Sequence, residues 1–121
     1  MKSLFAKIFV APLAALVILA ALSAPAFAND WVGIWSVKDT EGKPFFIAVF
    51  PDGKAVSTLE NGITGIWKAE GGTAEIKWHS GWRARLFHDG SKTMKDAYRP
   101  GQSFGDKPLT TSLATKVDDG D

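Results

Sequence analysis

At 121 residues, with no cysteine and a formal net charge of +1, the chain has room for one small domain that no disulfide can staple. Its 14 Lys and Arg are interleaved with 13 Asp and Glu. That pattern excludes the basic stripe needed to neutralise a nucleic-acid backbone.

The first predicted element is residues 1–28. Lys2 and Lys7 flank the start of an apolar run over residues 8–22, and Ala26-Phe27-Ala28 closes it. The run is shorter than the ~20 residues of a spanning helix, and Pro12 interrupts it. A basic start, a short apolar helix and a small-x-small end describe a secretory signal peptide. Cleavage after Ala28 would leave a periplasmic or secreted protein starting at Asn29, with no membrane span. Without Lys2 and Lys7 its net charge falls from +1 to −1. All five tryptophans, Trp31, Trp35, Trp67, Trp78 and Trp82, belong to this part. Each ring brings ~150–250 Å² of burial, so a compact core is feasible without cross-links.

From Trp31 onward, turn residues recur at near-regular intervals: Asp39 to Gly42, Pro51-Asp52-Gly53, Asn61-Gly62, Gly71-Gly72, Ser80-Gly81 and Asp89-Gly90. Between them lie short runs rich in Val, Ile, Thr, Phe and Trp. This is the pattern of an all-β antiparallel meander, predicted to form a small barrel or strongly curved sheet of six to eight strands over residues 29–117. Residues 44–50 are apolar on both faces, so the outer side of that strand is either covered or sticky.

Turn length fixes register. A two-residue Gly71-Gly72 loop places Ala69 opposite Ala74, Trp67 opposite Ile76, Gly65 opposite Trp78, and Lys68 opposite Glu75. A two-residue Asn61-Gly62 loop places Thr58 opposite Gly65 and Val56 opposite Trp67, on the same inner face. A three-residue loop over 79–81 pairs Trp78 with Trp82, Ile76 with Ala84, and Glu75 with Arg85. The inner face then alternates large and small residues, as small barrels do. After Tyr98 the pattern weakens. Residues 109–117 read as a last strand or as a tail, and residues 118–121 as a disordered acidic end.

The sequence Trp31-Val32-Gly33-Ile34-Trp35 resembles the Gly-x-Trp opening of the lipocalin, avidin and bacterial metalloprotease-inhibitor barrels, and Gly65-Ile66-Trp67 repeats the tripeptide. The resemblance implies a small exported barrel that binds a small ligand in its mouth or binds a protease. It implies a structural role for Gly33 and Trp35 and transfers no binding residue.

No nucleophile elbow, phosphate loop or metal-binding His/Cys motif is present, which points to a binding module rather than an enzyme. His79 and His88 fall at opposite ends of one strand and form no joint ligand set. The candidate ligand-binding residues are Trp35, Thr58, Glu60, Trp78 and Trp82, gathered at the end that carries the turns at 39–42, 61–62 and 79–81. Tyr98 joins them if residues 89–91 form a three-residue loop. Rings, hydroxyls and an acid converging on one mouth suit a small, partly apolar ligand, and an acid beside aromatic faces suits a cationic one. No cofactor is implied. The alternative is a protein-interaction module, such as a protease inhibitor or cell-envelope accessory protein, using the apolar outer side of residues 44–50 or the strand with Arg83 and Arg85.

Overall fold

The computed structural model describes residues 30–117. The expected signal peptide over residues 1–28 and the acidic end over 118–121 lie outside the described residues. Eight strands follow in order: β1 (Gly33–Lys38), β2 (Pro44–Val49), β3 (Lys54–Ser57), β4 (Ile63–Glu70), β5 (Thr73–Trp78), β6 (Arg83–Asp89), β7 (Lys92–Tyr98) and β8 (Thr110–Lys116). Each pairs antiparallel with the next. β8 returns to β1 through Ser36 opposite Thr115 and Trp35 opposite Lys116, closing an eight-stranded barrel. Closure removes the unpaired sheet edges that would otherwise template aggregation.

The β4–β5 hairpin follows from its turn. Gly71 and Gly72 have φ of 57° and 85°, the left-handed pair that a two-residue hairpin loop requires and that glycine adopts without strain. The register is the expected one, with Ala69 opposite Ala74 and Trp67 opposite Ile76. The β5–β6 loop is also as expected. Ile76 faces Ala84, and the Trp78 N–H donates to the Trp82 carbonyl at 2.9 Å.

Gly65 has a different task. A Cβ there would lie 2.4 Å from the Lys77 carbonyl oxygen and 2.9 Å from Trp78 Cε3. The missing side chain lets the Trp78 ring lie across β4, so Gly65 is a seat for that ring.

The β3–β4 connection corrects the expected register. Ser57 pairs with Ile63 and Ala55 with Gly65, so residues 58–62 form the loop rather than Asn61-Gly62 alone. The cause is local. Leu59–Asn61 closes into a 3₁₀ turn, with Glu60 and Asn61 both at positive φ, 50° and 66°. The register moves by an odd number of residues, which exchanges the faces of β3. Ala55 and Ser57 are buried inside, and Val56 and Thr58 face out.

The second correction is at β6–β7. Asp89 pairs with Lys92, so Gly90-Ser91 is a two-residue turn. Tyr98 therefore sits opposite Arg83 on the outer face, not in the mouth. It is nevertheless fully buried, because residues 99–109 fold over it and bring the Phe104 ring edge-on at 5.4 Å.

The interior holds Val37, Phe45, Ile47, Val49, Ala55, Trp67, Ala74, Ile76, Ala84 and Leu86. At the end with the 71–72 and 90–91 turns, Trp31 stacks on His88 at 4.6 Å. The Trp35 indole N–H donates to the Trp31 carbonyl at 2.9 Å. On the outside, Ile34, Phe46, Phe50 and Val56 remain exposed. The two-faced strand read from residues 44–50 thus carries an apolar stripe.

Candidate functional site

The opposite end of the barrel is not packed solid. A cavity of about 200 Å³ opens there, bounded by the loops after β1, β3 and β5. Its lower wall is apolar, from Phe45, Ile47, Ile63, Ala84 and Ala97, and Trp78 and Trp82 flank it. Both rings are half-buried, which leaves aromatic faces available to an occupant. Asp39 and Glu60 stand at the rim, and Lys95 reaches the cavity from β7.

Of the residues singled out from sequence, Glu60, Trp78 and Trp82 line this cavity. Thr58 does not. It faces out, where its hydroxyl accepts from the Phe46 N–H at 3.0 Å. Trp35 points inward but packs toward Trp31 at the other end. Tyr98 lies under Phe104 on the outer wall, where its hydroxyl donates to Asp96 at 3.3 Å.

Among the lining residues that escaped the sequence reading are Phe45, Asp39 and above all Lys95. The signal for Lys95 was the 90–91 turn. Read as two residues, it sets Lys95 opposite Leu86 and turns it inward. Lys95 is 3% exposed, with its ammonium 5.0 Å from the Phe45 ring centroid. That cation–π contact is some compensation for lost hydration. No hydrogen bond or ion pair to its Nζ exists among the described residues. Asp39 is held at the rim, because its Oδ1 accepts the Glu41 and Lys43 N–H groups, each at 2.8 Å. Those bonds, that from Lys43 foremost, lower its carboxyl below the ordinary range, and Lys95 adds to the effect.

Burial pulls the Lys95 ammonium down from 10.5 to about 8, against the opposing pull of Asp39 and Asp96. Between these two values the unfolded chain holds a proton that the folded chain has released, so stability rises with pH there. The full penalty applies below pH 8 and amounts to about 3 kcal/mol at most. Urea unfolding of the wild type should therefore show rising stability from pH 7 to 9.5. Lys95→Met should be the more stable protein at pH 7 and flat across that window. A wild type with no rise would place the ammonium in water.

Two more polar groups lie beside Lys95 on β8. Ser112 pairs with Lys95 across β7–β8, and Thr110 pairs with Ala97. Both hydroxyls are buried without a hydrogen-bond partner. Among the described residues, Lys95, Ser112 and Thr110 thus form a polar strip along β7 and β8. The chain matches no protein-family model, no curated protein and no solved structure.

Proposed function

We propose that the protein is an exported, non-catalytic binding protein that takes a small, partly apolar ligand into the mouth of its barrel. The cavity beside Trp78 and Trp82 carries this reading. Export rests on the basic, apolar and Ala-x-Ala parts of residues 1–28. The size of the cavity limits the guest. A cavity of about 150 Å³ accepts a benzene-sized ring, so 200 Å³ suits one ring with a small substituent.

The test is a titration of the purified protein with benzyl alcohol, benzoate and benzylamine, followed through the indole N–H resonances. The signals of Trp78 and Trp82 should move with at least one compound, while those of Trp31 and Trp35 stay in place. Trp82→Ala should weaken that binding about tenfold, the loss of one good aromatic contact, with little change in melting. If no compound moves either resonance, the reading fails.

The exposed stripe of Ile34, Phe46, Phe50 and Val56 favours a second reading. It is a protein-interaction module, as an envelope accessory or a protease inhibitor, acting through the outside of β1, β2 and β3.

A further inference from the structure

We infer that the ligand of the mouth is a monocarboxylate with one aromatic or similarly sized apolar group, its carboxylate paired with the Lys95 ammonium. The inference rests on the ligand-binding reading above and adds the charge of the guest.

An ammonium removed from water without a charged partner is expensive. Lys95 is almost wholly buried, yet no acid comes within ion-pair distance of it among the described residues. Of the charged groups around the cavity, Arg83 lies over the Phe104 ring at 5.6 Å, and the acids are otherwise engaged or distant. Asp39 on the β1–β2 loop is tied to backbone N–H groups. Glu60 on the β3–β4 loop is exposed at the rim. Asp96, next along β7, points outward and is bound by Arg85, Tyr98 and Thr111. A cation retained in such a place is suited to an anion that arrives from outside.

The rest of the site narrows the anion. Phe45, Ile47, Ile63, Ala84 and Ala97 offer no side-chain hydrogen bonds to a small hydrated ion, so an inorganic phosphate would lose most of its water without replacement. An organic anion instead sets its apolar body against these walls and its carboxylate on Nζ, a charge-assisted bond. Asp39 and Glu60 at the rim repel a second negative charge, which disfavours a dicarboxylate. The unpartnered hydroxyls of Ser112 and Thr110 continue the polar strip behind Lys95. The burial of Lys95 against the rim position of the acids is why an anion, not a cation, fits beside it.

Calorimetric titration at pH 7 with benzoate, benzyl alcohol, benzylamine and succinate tests this. Wild type should bind benzoate about tenfold more tightly than the other three, the gain of one charged hydrogen bond. Lys95→Met should lose about tenfold on benzoate and keep its affinity for benzyl alcohol. A second arm needs no variant. Benzoate affinity of the wild type should fall as pH rises from 7 to 9.5, while benzyl alcohol affinity stays level. Equal affinities for benzoate and benzyl alcohol, a preference for benzylamine, or a Lys95→Met variant that binds benzoate unchanged would overturn the inference and leave the mouth reading standing. If none of the four binds, both fall.

Discussion

Replacing Trp67 with alanine should cost about 3–5 kcal/mol of folding stability, the usual range for deleting a core aromatic. Trp67 sits on β4 with Ile76 opposite it and is only 8% exposed. Its indole N–H donates to the Phe50 carbonyl at 2.7 Å, and its backbone N–H donates to the Gly53 carbonyl at 2.9 Å. The ring therefore fills the barrel and also ties β4 to the β2–β3 turn. Removal creates a cavity and leaves the Phe50 carbonyl with the Gly53 N–H at 3.2 Å as its remaining donor. Urea unfolding followed by circular dichroism measures the loss, since fluorescence loses a reporter in this variant. Trp67→Phe should recover most of the burial but not the hydrogen bond, and should fall between the two. A Trp67→Ala protein that unfolds at the wild-type midpoint would deny the ring its place in the core.

The second large effect lies on the outer wall. Asp96 is 4% exposed and accepts three hydrogen bonds, from Arg85 at 3.1 Å, Tyr98 at 3.3 Å and Thr111 at 2.6 Å. Asp96→Ala leaves the guanidinium and the phenol facing each other without an anion. Breaking a buried charged pair costs ~3–5 kcal/mol. The Arg85 side chain keeps 28% exposure, so water recovers part of this and about 3 kcal/mol is expected. Burial, aided by the Asp96 charge, holds the Tyr98 phenol above its ordinary range. The variant should move that titration back toward the ordinary value as the stability falls. Absorbance of the phenolate against pH reads the first effect and urea unfolding the second. A loss below about 1 kcal/mol, the size of an exposed pair, would mean that the cluster does not hold residues 99–109 in place.

How far the sequence reached depends on the chemistry of each turn. Gly71-Gly72 leaves one choice of hairpin, so the whole β4–β5 register was legible, including Lys68 opposite Glu75. The preference for one apolar face then selected the 79–81 loop and with it Glu75 opposite Arg85. The Asn61-Gly62 pair misled, because Glu60 also adopts a left-handed conformation and nothing in glutamate announces that. The error exchanged Ser57 for Thr58 on the inner face. The end of the barrel that holds the cavity was legible, since turn order alone places the loops after β1, β3 and β5 together. Its buried lysine was not. A lysine in an alternating strand reads as outward, and only the length of the 90–91 turn turns Lys95 around. Tyr98 went wrong for the same reason. Trp35 was drawn to the wrong end because Trp31, outside any strand pattern, holds it through a main-chain bond.

The seam between β1 and β8 bears on how the chain comes together. Every other pairing joins strands that are consecutive in sequence and can form by adding one hairpin to the last. Such local contacts favour rapid assembly. The seam alone joins distant segments, Trp35 with Lys116 and Ser36 with Thr115, and incurs the single long loop closure. On synthesis from the amino end, β1 is the first strand made and the last to find its neighbour. Until residues 110–116 arrive, the backbones of β1 and β7 are both open to any passing strand. A chain cut short before residue 110 would therefore lose more than one strand: it would keep two adhesive edges, and its hazard would be polymerisation rather than simple unfolding.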